Sequence, residues 1–315
     1  MVSKAKALIA STLLTILLLY FLLSQLDLRL LFNTLLNLNP IYVFLGFLCY
    51  LTTYLFRTTR FYVLLNKSIP FSELFKVVCV HNMFNNLLPA RTGEVSFLYL
   101  LKKFHGRNLG EAVAVLVVAR FFDMLSILTF FLISAIFVKS VSINKFLIAS
   151  LIFILLLIFL LVIFSRKRIL NALDFFQAKF DSKIVKNILR VFRDTITEFE
   201  SVKNLKIIVL SALFSFCMWF FLYLTAFLIL LSMSIYIEFA SAIFASTFPV
   251  VTTLLPIQGF VGFGTIEAGW AIGFSIVGIP LEIAVLYGLV WHFIVIIYYL
   301  IPGIVAMAKM HSSKG

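Results

Sequence analysis

The sequence predicts an all-α polytopic membrane protein, and three observations carry that prediction. Hydrophobic residues make up 63% of the chain and charged residues 12%, where soluble domains carry about 25% charged residues. Several apolar runs reach the ~20 residues that a helix needs to cross hydrocarbon. None alternates in the manner of a barrel strand, so the spans are helical. The net charge of +13 concentrates in Arg57 to Lys76, Arg91 to Arg107 and Arg166 to Lys206, which the positive-inside bias assigns to the cytoplasm. An anionic leaflet attracts such segments by about 1 kcal/mol per Lys or Arg. A nucleic-acid partner is therefore not required. Cys49, Cys79 and Cys217 are isolated in apolar segments without clustered His, which argues against a disulfide framework, a metal site or a cofactor.

In chain order, six segments read as complete spans: 5–26, 40–65, 111–138, 145–165, 206–232 and 281–309. The first, after Lys4 and Lys6, is apolar from Ala7 to Leu23 with no small-x-small cleavage site, so it reads as a retained span. With the N-terminus cytoplasmic, the loop around Asp27 and Arg29 lies outside, and Arg57, Arg60 and Lys67 reach the inner end of the second span. The block 166–206, with ten basic and five acidic residues, returns inside. Its apolar stripe Ile184, Ile188, Phe192, Ile196, Phe199 reads as an interfacial connecting helix. Lys309 ends the last span inside. The whole of 1–315 is expected to form a single transmembrane domain in the plasma membrane, with both termini cytoplasmic.

This topology closes only if 71–105 and 239–279 each leave the membrane on the side they enter. Pro89 with Gly93 interrupts the first, and Pro256 to Gly264 interrupts the second. Proline removes a helical hydrogen bond and glycine weakens the helix, so each segment is expected to form two half-helices around a loop. Irregular backbone at membrane depth is tolerated only inside protein or beside a wet cavity. The breaks also resemble each other, "NNLLPARTGE" against "TTLLPIQGF". Two re-entrant hairpins at corresponding places imply an inverted repeat, 1–138 against 145–309, the sequence signature of a transporter site.

A charge near the centre of a span costs about 2.5–3.5 kcal/mol by insertion scales, so such residues face a cavity or a partner. Arg57 and Arg60 lie one turn apart, and either snorkel to the inner head groups or face inward. Arg120 and Asp123 share a helical face and can pair; Arg91 and Glu94 frame the first break. Glu267 lies in the second break, where Thr265 can cap the half-helix and the carboxylate suits its positive end. At that depth Glu267 is expected to point toward water, a cation or a head group. Asn85 and Asn86, like Gln258, either satisfy freed backbone or touch ligand. His292 reads as hydrogen-bonded packing.

The stretches "NNLLPARTGEVSFLYLLKK", "VVARFFDML" and "GFVGFGTIEAGW" together resemble the lysylphosphatidylglycerol synthase transmembrane family, also called flippase-like or UPF0104 membrane proteins. The resemblance covers nearly the whole chain. In bifunctional members this membrane part moves aminoacylated phosphatidylglycerol between leaflets, and a separate cytosolic domain makes that lipid. The chain ends at Gly315, so a stand-alone member without the aminoacyltransferase domain is expected. Matching positions are Arg57, Arg60, Pro89, Arg91, Gly93, Glu94, Arg120, Asp123, Gly262, Gly264 and Glu267. Many relatives carry proline-glycine-glycine in the second break, where this chain has "PIQGFVGFG". The matching charged and glycine positions, taken with the polar Asn86 and Gln258 at the breaks, give a candidate substrate site of Arg57, Arg60, Asn86, Arg91, Glu94, Arg120, Asp123, Gln258, Gly262, Gly264 and Glu267.

The expectation is a lipid translocase, not an enzyme, moving an anionic phospholipid or a polyprenyl-phosphate-type lipid. No GxxxxGK[ST] motif is present, so movement is downhill or coupled to protons or another cation. The expected partners are anionic membrane lipids, with oligomerisation left open. The alternatives are a membrane-embedded enzyme acting on lipid head groups and a non-transporting lipid-binding scaffold. A head-group enzyme needs clustered catalytic groups, whereas the outer loops offer only the dispersed Asp27, Glu238 and Glu282.

Overall fold

A computed structural model describes residues 28–88, 93–138, 204–253 and 260–312, with scattered helical positions between 146 and 197. The expected spans 5–26 and 145–165, the connector 166–206, Pro89, Arg91 and Gln258 lie wholly or largely outside the described residues. The described elements are helical and include no strand. In chain order they are α1 (Leu28–Leu36), α2 (Pro40–Leu64), α3 (Phe71–Leu87), α4 (Glu94–His105) and α5 (Leu109–Phe137). There follow α6 (Leu205–Ser232), α7 (Phe239–Thr252), a 3-10 turn at Phe260–Gly262, α8 (Thr265–Ile276) and α9 (Leu281–Ser312).

Four of these, α2, α5, α6 and α9, have 25, 29, 28 and 32 residues and are apolar enough to cross a membrane. At ~1.5 Å rise per residue each exceeds the ~30 Å hydrocarbon thickness. Three begin with the same device: the side chains of Asn39, Asn108 and Asn204 accept hydrogen bonds from Ile41, Gly110 and Lys206 N–H. Each satisfies a donor that a helix start leaves orphaned. The segment 28–36, read from sequence as a loop, is the short helix α1, with Leu31 buried and Leu36 exposed.

Both interrupted segments form helix–break–helix. In the second, the helix stops at Thr252 rather than at Pro256, and resumes at Thr265. Pro249 inside α7 already weakens its last turn. The two arms then close on each other through small residues. A Cβ at Gly269 would meet Pro249 backbone, and one at Gly273 would meet Ala245 backbone. This small-xxx-small spacing lets two backbones touch.

The second and sixth helices pack antiparallel along their length. Asn39 N–H donates to Ser232 C=O at 2.9 Å, Thr225 approaches Gly46, and Arg60 reaches Ser215 at 2.6 Å. Among the other packed pairs are four matched sets: α2 on α3 and α6 on α7, α3 on α4 and α7 on α8, α4 on α5 and α8 on α9, α3 on α9 and α7 on α5. Phe44, Leu48 and Leu55 on α2, and Ile297, Ile301 and Val305 on α9, are exposed, while Arg60 and Glu267 are buried. Apolar outside and charged inside is the arrangement lipid demands. Replacing Gly273 by Val is expected to cost at least the ~1–3 kcal/mol of an overpacked core, because the opposing atoms are backbone. Thermal unfolding in detergent checks this; Ile272→Val, on the exposed side of the same helix, should leave the transition nearly unmoved.

Candidate functional site

The first cluster is an ion chain across four helices. Arg60 on α2 is 2% exposed, and its Nη1 lies 2.5 Å from Asp123 Oδ1 on α5. The same nitrogen donates to Ser215 Oγ, and Trp219 Nε1 donates to Asp123 at 3.1 Å, both from α6. Arg120 sits 3.4 Å from the other Asp123 oxygen and 2.9 Å from Glu94 at the start of α4. Burying one unpaired charge is prohibitive, so Arg60 and Asp123 hold each other and the helices that carry them. Arg57, one turn earlier on α2, donates to Asn82 of α3 and touches Met218 sulfur. Asn82 in turn donates to the Tyr54 and Tyr50 hydroxyls at 2.8 and 3.2 Å.

Among the described residues, this cluster sets three guanidiniums against two carboxylates, and no carboxylate lies in ion-pair range of Arg57. Arg57, Glu94, Arg120 and Asp123 line a cavity of about 320 Å³. Its opposite wall comes from the second interrupted segment, through Pro249, Thr253 and Trp270. Asn85 and Asn86, at the end of α3, border both this cavity and a smaller one of about 90 Å³. The ends of both interrupted helices therefore open onto one interior, in which the charged groups face a largely apolar wall.

The second cluster stands behind the smaller cavity. Glu267 is 0% exposed; its Oε2 accepts Gly264 N–H at 2.7 Å, and its Oε1 lies 2.6 Å from His292 Nδ1 on α9. His292 Nε2 is 3.1 Å from Val261 C=O. To aim that carbonyl, Val261 adopts φ 59°, a left-handed conformation costly for a β-branched residue. Gly262 and Gly264, at φ 84° and 86°, continue the turn without a Cβ penalty.

Several sequence expectations are revised by this geometry. Arg60 does not snorkel; it is enclosed by Asp123 and Ser215. Gly264, not Thr265, caps α8: Thr265 hydroxyl donates back to Gly262 C=O, and Glu267 takes the Gly264 amide. Glu267 is fully buried rather than turned toward solvent. It borders neither of these two cavities and is closed in by His292, whose hydrogen-bonded packing is against the Glu267 carboxylate and the Val261 carbonyl. Asn86 bonds the Asn82 carbonyl at 2.7 Å and lines both cavities, so it satisfies backbone and faces the interior together. Gly262 and Gly264 shape the loop. Arg91 and Gln258 lie outside the described residues.

Sequence reading missed Ser215, Trp219 and the pairing of His292, and it marked Asn82 as one of several polar residues crowding the first half-helix without giving it a partner. Ser215 and Trp219 are 155 and 96 residues from their partners, and an isolated polar residue in an apolar span was their only signal.

Comparison with known proteins supports the family resemblance. The family model for the lysylphosphatidylglycerol synthase TM region matches residues 8–303. A UPF0104 membrane protein of Methanocaldococcus jannaschii is 26% identical over 189 residues, covering 58% of this chain and 75% of that protein. No solved structure matches.

The ion chain yields a stability prediction. Asp123→Leu alone, which strands Arg60, is expected to cost about 3–5 kcal/mol, and Arg60→Met with Asp123→Leu should recover most of it. Chemical or thermal unfolding of the two single variants and the double variant checks this.

Proposed function

This chain belongs to the lysylphosphatidylglycerol synthase transmembrane family and is a multi-pass helical membrane protein, and we propose that it is a lipid translocase. It moves an anionic phospholipid or a polyprenyl-phosphate-type lipid between leaflets of the plasma membrane, without nucleotide hydrolysis and without changing the lipid. The observation that carries this reading is the cavity-facing guanidinium of Arg57, which among the described residues has no carboxylate in range. A guanidinium in a concave site favours a phosphate, which it can grip with paired N–H donors. Arg120, already shared between Glu94 and Asp123, supplies a second donor once the head group competes for it.

The proposed topology has six spans, two re-entrant hairpins and cytoplasmic termini, arranged as an inverted repeat. The packing supports it. Exchanging α2 with α6, α3 with α7, α4 with α8 and α5 with α9 turns each member of the matched helix pairs into the other. The antiparallel α2 and α6 are what an inverted repeat requires of equivalent spans. In this reading each hairpin opens the shared cavity to one leaflet. The alternative of a head-group enzyme draws less support, because Glu94 and Asp123 are engaged by Arg120 and Arg60.

Purified protein in phosphatidylcholine liposomes carrying head-group-labelled phosphatidylglycerol tests the function. Leaflet exchange is expected to rise well above that of empty vesicles. Arg57→Gln should slow it about tenfold or more, the scale of a lost charge-assisted hydrogen bond. Exchange equal to that of empty vesicles would contradict the reading.

A further inference from the structure

We propose that the Glu267–His292 pair is a proton-binding site that couples the lipid cavity to proton movement, so that one proton crosses with each anionic head group. This rests on the translocase reading and adds its energy source and stoichiometry.

The argument starts from donors and acceptors. A backbone carbonyl only accepts, so the 3.1 Å contact with Val261 places a proton on His292 Nε2. The 2.6 Å contact between His292 Nδ1 and Glu267 Oε1 then needs a proton of its own, since two lone pairs at that distance repel. Whether that proton sits on nitrogen or on oxygen, the pair carries no net charge and holds one removable proton. Side-chain exposures of 2% and 0% explain why it is held. Loss of the proton leaves a net negative charge on a pair shielded from solvent, and the Nδ1–Oε1 contact becomes repulsive.

That contact ties three parts together: α8 through Glu267, α9 through His292, and the 260–264 turn through Val261 and Gly264. Deprotonation therefore loosens the polar tie between the arm of the second hairpin and α9. The proton leaves to water in the smaller cavity, which His292 and Val261 border. That cavity shares Asn85, Asn86 and Thr253 with the larger one.

Few other charges compete. On α8 Glu267 is the sole titratable residue, and α7 has none. From α3, Asn85 and Asn86 line the smaller cavity, while His81 turns to Ser96 of α4. Tyr299 lines the smaller cavity from α9, and Phe263 packs on the His292 ring. Arg57, Arg120, Glu94 and Asp123 face the larger cavity. An anionic head group in that interior and a pair that has lost its proton would set two negative charges in one enclosed space, so the two states exclude each other. Lipid and proton thus bind together and leave together.

The test uses protein in phosphatidylcholine liposomes with a trace of labelled phosphatidylglycerol, an imposed pH gradient and the membrane potential clamped. The label is expected to accumulate several-fold in the leaflet facing the alkaline compartment. In Glu267→Gln, and separately in His292→Gln, the distribution should return to that seen without a gradient, whatever the absolute rate. Exchange in the wild type that ignores the gradient overturns proton coupling and leaves the translocase reading intact. Absence of wild-type exchange without a gradient overturns the translocase reading, and the coupling with it.

Discussion

Hydrocarbon cannot solvate an ion, and the arrangement of this protein follows from that constraint. Arg60 and Asp123 are each nearly fully enclosed and 2.5 Å apart. Neither is tolerable without the other, so the helices that carry them are held at a fixed separation. Ser215 and Trp219 take up further hydrogen-bonding capacity from the sixth helix. Once the pair is in place, Arg57 and Arg120, on the same two helices, project to the same side. A cluster that stabilises the assembly thereby also sets the charge of its interior.

The breaks act on the same constraint from the backbone side. Where a helix stops at membrane depth, its freed amides and carbonyls must find partners. Glu267 accepts one of those amides, at Gly264, and His292 takes the Val261 carbonyl. The strained turn at Val261 persists because two side chains hold it. The same irregular backbone leaves room between the ends of α3 and α7, and the cavity occupies that room. Stability and site are built from the same groups.

Much of this was legible in the sequence because lipid makes polar residues conspicuous. The bounds of α2, α5, α6 and α9 fall within a few residues of the apolar runs that predicted them. Arg57, Arg60, Glu94, Arg120, Asp123 and Glu267 stood out as charges in hydrocarbon; four of them join one ion chain, and Arg57 lines the same cavity. The partners were not legible. Periodicity places Arg120 and Asp123 on one face, yet nothing local pairs Asp123 with Arg60, which is 63 residues away. Similarly, Glu267 beside glycines suggests a capping carboxylate, and the spacing to His292 carries no helical signal because the two lie on different helices. Capping also went to Gly264 rather than Thr265, since the turn had already placed that amide at the carboxylate.

The central claim is that the interior charge of this family member receives an anionic head group. The most direct measurement is an experimental structure of the protein in a bilayer containing phosphatidylglycerol. Phosphate density within hydrogen-bond reach of Arg57, in the cavity between the two interrupted segments, is the predicted result. A cavity filled by acyl chain, with the head groups held only at the outer surface, would contradict it.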